Sequence, residues 1–371
     1  MGVFPDHTRI WHFARDSWRR ICDSRFVVRT NPSLIAAVLL ASSTAVATFQ
    51  SASTRFPSRL DSYFKNTVAL TVEEQQQLAS GQPVTKLLAG DASKEVAVFG
   101  AVWINVPIRR YVDAVRDIEN FERGGGFKIT KQISSPPRLN DFAELRLPDD
   151  DVADLRSCRV GDCALKLGED ALNRFRSQIN WNRPDPGAAA NLLMQQLAFE
   201  YVTRYLKGGN DSLAVYRDSS RPTFVAQEFR SMVDVMPELT TYMPDVRKSL
   251  LDFPKSGLPG ATNLLYWQET EFGLKPTIRI SHLTIREGAD DAVVTSKMLY
   301  ASHYFWTGLE VRALVSDSSR GPGFWFVTVN RSRSDGLSGF TGIFVRGRVG
   351  SEVQEGTLEG LRITKRMLEA R

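Results

Sequence analysis

The chain has 371 residues, of which 42% are hydrophobic and 24% are charged, which is the composition of a globular protein. Its net charge of +5 is local, because six arginines and three aspartates fall within the first 47 residues and the rest carries only +2. No segment interleaves aromatic residues with a basic cluster, so we expect no nucleic-acid partner.

The N-terminal segment predicts export. Arginines up to Arg29 precede the uncharged run 33–47, "SLIAAVLLASSTAVA", which ends in small residues at the positions that a signal peptidase reads. This run is shorter than the roughly 20 residues that a membrane-spanning helix needs. We predict a signal peptide over 1–47, with an uncleaved anchor at 33–47 as the alternative, and a periplasmic or cell-envelope location.

The segment that follows predicts a linker and then the start of a folded domain over 71–371. Residues 48–66 are rich in Ser, Thr and Arg and show no clear periodicity, so we assign 48–70 to the linker. Thr71 and Glu74 have the spacing of a helix capping box. Alternating apolar residues over 95–106 predict a strand, and Pro107 opens an amphipathic helix. Strand-like pieces follow at 127–134 and 142–147.

Two cysteines of this domain predict a disulfide. Cys158 and Cys163 lie in "CRVGDC", and such a pair in an exported chain most simply forms a disulfide. Closing so small a loop would stabilise the fold by about 2 kcal/mol and tie down a turn. A zinc site would need further ligands, which only His282 and His303 remain to supply, so we expect no metal and no cofactor.

The middle of the chain, about 165–253, predicts helices, and the part after it predicts strands. "PDPGAAANLLMQQLAFEYVTRYLKGG" begins with prolines, ends with glycines and has an apolar stripe between them. After residue 262, four apolar runs are separated by short turn segments, which favours antiparallel neighbours. One of these runs, "DAVVTSKMLYASHYFWTGLEVRALV", reads as a single long strand.

The final segment, 351–369, predicts a helix. Ser351 and Gln354 have capping-box spacing, and acidic residues precede basic ones, as the helix dipole favours. Gly356 and Gly360 are four residues apart and therefore share a face, which would let the helix pack closely against another element.

This order of elements resembles the START-like superfamily of lipid-transfer proteins and polyketide cyclases. The stretches that carry the resemblance are "VAVFGAVWINVPIRRYVDAVRDI", the aromatic strands "SHYFWTGLEVRALVSD" and "GFWFVTVNRSRSDGLSG", and the last helix. The resemblance implies an α+β helix-grip fold, in which a curved antiparallel sheet wraps around a long C-terminal helix, here with a helical insertion over about 165–253. It also implies an apolar cavity for a lipid, sterol or polyketide.

The candidate site residues come from the late strands. Side-chain alternation places His303 among apolar neighbours, where it would be either a base, a ligand contact or a hydrogen-bonded core residue. The other candidate ligand contacts are His282, which would pair with His303 if their strands are adjacent, and the large side chains Trp267, Phe305 and Trp325. Arg331 would hold an acidic head group at a cavity mouth or form a solvated strand end.

We therefore expect an exported protein that binds or carries a hydrophobic ligand, with a membrane surface as a further partner. Two alternatives stay open. One is a cyclase, dehydratase or hydrolase with His303 as its base, and the other is a structural or partner-binding envelope protein whose interior is filled. A cavity of several hundred cubic ångströms would distinguish the first two from the third.

Overall fold

The computed structural model describes residues 56–124, 126–271, 275–335 and 340–370, with only the backbone described over 340–346. The predicted signal peptide or anchor over 1–47 lies outside the described residues. Part of the expected linker is instead a helix, α1 (Ser58–Asn66), whose Leu60, Tyr63 and Phe64 are buried. Leu60, Tyr63 and Phe64 occupy positions i, i+3 and i+4, so they lie on one face of the helix although their neighbours in the sequence are polar. The segment predicted as a linker over 48–70 therefore contains a helix that packs against the folded domain.

Eight strands form one curved, entirely antiparallel sheet. This confirms an α+β protein with a large antiparallel sheet. The strands are β1 (Val84–Leu87), β2 (Glu95–Ile104), β3 (Phe127–Ile133), β6 (Ala261–Glu271), β7 (Pro276–Glu287), β8 (Asp291–Ala301), β9 (Phe305–Ser316) and β10 (Phe324–Ser334). Their order across the sheet is β1-β2-β10-β9-β8-β7-β6-β3. The short strands β4 (Val215–Tyr216) and β5 (Thr223–Phe224) pair separately.

Helices cover both faces of the sheet. They are α1, α2 (Val72–Ala79), α3 (Ile108–Arg116), α4 (Ile118–Phe121), α5 (Asp149–Leu155), α6 (Glu169–Gln178), α7 (Gly187–Gly208), α8 (Val225–Asp234), α9 (Pro244–Asp252) and α10 (Phe340–Glu369). Short 3-10 turns at Leu139–Phe142 and Gly209–Ser212 and a π turn at Glu238–Tyr242 complete the middle of the chain. The expected capping box of α2 is present, with Thr71 and Glu74 bonding each other's backbone.

One face of the sheet carries α3 and the C-terminal helix, and we call it the α10 face. Side chains directly opposite one another in paired strands share a face. Gly100, Thr328 and Arg312 are aligned across β2, β10 and β9, and a Cβ on Gly100 would touch Leu361 of α10, so all three belong to the α10 face. Leu361 and Leu368 pack there with apolar residues of β2, α3, β7 and β10.

The other face, which we call the middle-helix face, packs against α1, α2 and the helices between residues 149 and 252. Its apolar clusters include Trp267 and Ile280 near α7, and Phe99 and Trp325 near α1 and α8. These two clusters and the one on the α10 face make the core.

The structure departs from the expected elements at three places. The long strand through His303 is a hairpin: β8 ends at Ala301 and β9 begins at Phe305. The piece at 142–147 forms no strand. Helix α10 already includes residue 340, so Ser351 lies inside it and donates to the carbonyl of Gly347.

Candidate functional site

The structure places His303 in the turn between β8 and β9, in contact with a carboxylate. Its Nε2 lies 3.0 and 2.9 Å from the two carboxylate oxygens of Asp151, and its Nδ1 lies 3.2 Å from the carbonyl oxygen of Ala164. His303 is only 4% exposed and Asp151 only 1%. The neighbouring Tyr304 has a φ of +61°, a strained value for a non-glycine residue, and this lets the chain reverse.

These contacts argue against His303 as a base. Both ring nitrogens are engaged by protein oxygen atoms, the carboxylate of Asp151 and the carbonyl of Ala164. A base needs a free lone pair directed at a substrate. These hydrogen bonds connect α5 to the β8–β9 turn, and the ammonium group of Lys275 lies 3.8 Å from Asp151.

His282 is also buried, and it does not contact His303. It lies opposite Lys297 in the β7–β8 pair. Its Nε2 lies 2.9 Å from the amide oxygen of Asn263, which only accepts, so Nε2 carries the proton. Tyr205 then donates to Nδ1 over 2.8 Å. Burial, with a smaller contribution from Lys297, lowers the pKa of His282 to about 3, which keeps the ring neutral.

Lys297 is the centre of this group. Its ammonium nitrogen contacts the amide oxygen of Asn210 and lies 4.2 Å from the ring centroid of Phe229 and 3.5 Å from the hydroxyl of Tyr205. Among the described residues no carboxylate pairs with it. Burial lowers the pKa of Lys297 to about 7.

The two candidate tryptophans belong to the packed core of the middle-helix face. The indole nitrogen of Trp267 donates to the carbonyl of Asp141 over 2.8 Å, and that of Trp325 donates to Asp317 over 3.1 Å. The ring of Trp325 also packs edge-on against Trp103. Phe305 is half-buried at the start of β9. Both tryptophans therefore lie on the face of the sheet opposite α10, where they are packed among other core residues.

Arg331 is neither at a cavity mouth nor in solvent. It pairs with Glu95 and donates to the carbonyl of Ala89 over 3.1 Å. Arg333 contacts the same Glu95 at 2.8 Å and Glu228 at 2.9 Å. With both arginines and Glu95 less than 7% exposed, this is a closed ion network on the middle-helix face.

A second polar group, which the sequence did not single out, lies on the α10 face. We call it the Arg312 cluster, and it consists of Tyr111, Glu122, Gln268, Glu310 and Arg312. Arg312 pairs with Glu310 and lies 3.6 Å from the carboxylate of Glu122. Gln268 donates to Glu122 over 2.6 Å. Strand β9 supplies Glu310 and Arg312, β6 supplies Gln268, α3 supplies Tyr111, and Glu122 follows α4.

The two carboxyl groups of the Arg312 cluster respond differently to their surroundings. Burial raises the pKa of Glu122, and the nearby guanidiniums of Arg312 and Arg279 only partly offset it. Burial acts on Glu310 as well, but the charge and hydrogen bond of Arg312 and the hydroxyl of Thr328 hold its pKa below the usual value. Glu310 is therefore the ionised partner of Arg312, and Glu122 is the carboxyl group more easily protonated.

Several buried polar atoms of this face have no hydrogen-bond partner. They are Tyr111 Oη, Gln268 Oε1, Ser281 Oγ and Arg312 Nη1. Buried polar atoms in folded proteins are nearly always bonded to protein, water or a ligand, and each one left open costs about 1–3 kcal/mol. Tyr111 and Arg312 lie within reach of each other, so Gln268 Oε1 and Ser281 Oγ are the open positions of this face.

Two clefts adjoin these groups. A cleft of about 170 Å³ lies at the edge of the sheet, and Glu122 is the member of the Arg312 cluster that lines it, together with Thr130, Phe127 and surface charges. A cleft of about 370 Å³ opens on the other face, and it is lined by Asn210, whose amide contacts Lys297. Neither cleft has the mostly apolar lining that we expected from the sequence.

Cys158 and Cys163 form the predicted disulfide, with 4.5 Å between their Cα atoms. Within the described ranges, no three or more His, Cys, Asp or Glu side chains are grouped as a metal ion would require. Over the same ranges, no helix combines the length and apolar character needed to cross a bilayer. Comparisons with protein-family models, curated proteins and solved structures each gave no match.

Proposed function

We propose that this protein is an exported binding protein of the helix-grip type. It would hold an amphiphilic, lipid-type ligand on the α10 face and carry it without covalent chemistry. The support for the scaffold is the observed order and packing, in which an antiparallel sheet holds the C-terminal helix and α3 on one face.

The observation that carries the proposal is the set of unpartnered polar atoms around Arg312. Gln268 is fully buried and Ser281 is 1% exposed, so bulk water does not satisfy their open oxygen atoms. A ligand that supplies these hydrogen bonds would recover the desolvation free energy of each atom. The cleft at the edge of the sheet brings solvent up to Glu122, the outermost member of the cluster.

Apolar side chains of the same face would receive the rest of the ligand. Leu283, Ile285 and Val294 surround the cluster on β7 and β8, and Phe326 lies on β10. Each methylene removed from water contributes about 0.8 kcal/mol, so burying about ten methylenes matches the roughly 8 kcal/mol of micromolar binding. The polar cluster would set the orientation of the ligand.

The test is thermal unfolding of the purified chain with and without a total lipid extract. A ligand that binds only the folded protein raises the unfolding midpoint. We expect stabilisation of the wild type and loss of that stabilisation in the double variant Glu310→Gln/Arg312→Met, which removes both charges of the pair together. Lys297→Met, on the opposite face, is the matched control and should retain it. Absence of any stabilisation of the wild type would overturn the proposal.

A second candidate, an acid–base enzyme on the same face, is favoured by one observation. Glu122 and Glu310 have pKa values displaced in opposite directions, which is how paired carboxyl groups divide the roles of acid and base. Under this candidate Glu122→Gln abolishes turnover while ligand binding persists. If the protein only binds its ligand, Glu122→Gln changes the affinity for that ligand and there is no turnover to lose. The His303-based enzyme has no such support, because both ring nitrogens of His303 are engaged.

A further inference from the structure

We propose that the cleft beside Asn210 is a binding site for a small hydroxylated organic acid. The cleft lies between α8, α9 and the turn that follows α7. Its volume of about 370 Å³ falls within the range of small-molecule sites. These elements cover the middle-helix face, so the inference is independent of the function proposed for the α10 face.

Three positively charged side chains from separate segments line this cleft. They are Arg230 of α8, Lys248 of α9 and Lys255 of the segment that follows α9. All three are exposed, and within the described ranges none of them forms an ion pair with a carboxylate. Their N–H groups are therefore open donors, and guanidinium and ammonium groups are the usual partners of acidic groups in ligands.

Two carboxylates at the same cleft limit the charge of the ligand. Asp211 and Asp252 also line it, and neither forms an ion pair in the part of the chain that the structure describes. Three cations and two carboxylates leave a net charge of +1, which one acidic group neutralises and a polyanion would exceed. The carboxylates only accept hydrogen bonds, so hydroxyl groups of the ligand would give them partners. A hydroxy acid meets both requirements.

The wall of the cleft is held in place before any ligand binds. Gly209 has a φ of +59°, and a Cβ atom there would overlap the carbonyl oxygen of Phe253, so glycine is needed for this close approach. The side-chain amide of Asn210 donates to the carbonyls of Leu250 and Leu251 over 2.9 and 2.7 Å. These bonds fasten the turn after α7 to the last turn of α9. A cleft formed in advance loses less conformational entropy when it binds.

A buried amino group lies behind this wall. The amide oxygen of Asn210 contacts the ammonium group of Lys297, which pairs with no carboxylate among the residues described. An anion in the cleft would therefore attract a further positive charge across Asn210, and this favours an acidic ligand over a neutral one.

The experiment compares gluconate, sorbitol and hexanoate, which share an unbranched hexane skeleton. Gluconate carries the acid and the hydroxyl groups, sorbitol only the hydroxyl groups, and hexanoate only the acid. Affinity for the full chain is measured by titration calorimetry at low ionic strength, where exposed charges are least screened. We expect gluconate to bind about tenfold or more tightly than either of the others. Gluconate binding no tighter than sorbitol or hexanoate, or not binding at all, would overturn the inference and leave the proposed function unaffected.

The double variant Arg230→Gln/Lys248→Gln tests the location. Both side chains are exposed and unpaired, so without ligand the variant should unfold at the same temperature as the wild type. It should bind gluconate about tenfold or more weakly, because two of the three cations that hold the acidic group are lost. Arg176→Gln/Arg183→Gln removes two exposed charges outside the cleft and is the matched control with wild-type affinity. Unchanged affinity in the cleft variant would place the ligand elsewhere and refute the inference.

Discussion

Gly100 of β2 lies directly beneath Leu361 of α10. A Cβ atom built on Gly100 would come within 3.0 Å of Leu361 Cδ1 and within 3.0 Å of Thr357. The close approach of helix and sheet is therefore made possible by a glycine of the strand. The two helix glycines that we expected to permit it, Gly356 and Gly360, have nothing within 4 Å of an added Cβ.

Gly100→Ala should accordingly weaken the packing of α10 against the sheet. The added methyl group has to displace two α10 side chains, and overpacking of this kind costs about 1–3 kcal/mol. We expect that loss in the free energy of unfolding measured by urea titration. Gly356→Ala is the matched control, and it should stabilise the protein by about 0.5–1 kcal/mol because alanine is the better helix former. A Gly100→Ala protein as stable as the wild type would contradict the packing described.

Replacing His303 should damage stability and leave ligand binding intact. His303→Gln leaves Asp151 buried without its main hydrogen-bond partner, and leaving a buried polar group unsatisfied in this way costs about 1–3 kcal/mol. A double-mutant cycle with Asp151→Asn, followed by urea titration, should show that the two losses are not additive. Loss of turnover or binding in a stably folded His303→Gln protein would restore His303 to the functional site.

Lys297 gives a stability that depends on pH. Its pKa is about 7 in the folded protein and near 10.5 when unfolded. Between these values the unfolded chain holds a proton that the folded chain lacks, so stability rises with pH by up to about 1.4 kcal/mol per pH unit. The increase in the free energy of unfolding begins near pH 7. Below that pH, Lys297 is protonated in both states, so its unfavourable contribution to stability no longer changes with pH.

Lys297→Met should remove this rise and increase the free energy of unfolding at pH 7. The measurement is urea titration at several values between pH 7 and pH 9. Lys255→Met, at an exposed position, is the control and should keep the rise. A Lys297→Met protein with the same pH dependence as the wild type would show that another group is responsible.

The disulfide should make a small contribution to the free energy of unfolding and should order only the loop that it closes. Cys163 is followed by Ala164, whose carbonyl lies against His303. The double variant Cys158→Ala/Cys163→Ala should therefore lower the free energy of unfolding by about 2 kcal/mol, as closure of a short loop predicts. Proteolysis should become faster between residues 156 and 165 without a general loss of structure. Complete unfolding at room temperature would show that the disulfide has a larger role.

Local patterns in the sequence predicted much of the fold. Alternation in β2, the prolines and glycines around α7, and the Thr71–Glu74 capping box each reflect interactions between near neighbours. The turn at His303 was missed because it contains neither glycine, proline nor asparagine, and its aromatic residues are typical of strands. Tertiary contacts with α5 fix this turn, and a single sequence does not show them.

The functional residues were harder to predict than the fold. Glu310 and Arg312 are two residues apart in an apolar strand and therefore share a face, which is a local signal for a buried ion pair. Glu122 and Gln268 complete the cluster. They are 146 positions apart in the chain, and no spacing rule predicts the hydrogen bond between them. The large aromatic residues that suggested a ligand wall, Trp267 and Trp325, instead pack in the core, as most strand aromatics do.

The most direct test of the account is native mass spectrometry of the gently purified chain. Wild type and the Glu310→Gln/Arg312→Met variant are compared at equal concentration. The account predicts a lipid-sized adduct on the wild type that is absent or strongly reduced in the variant, because the ligand's polar part depends on that pair. A wild type without adduct, or an adduct equally abundant in both proteins, would contradict ligand binding at the Arg312 cluster.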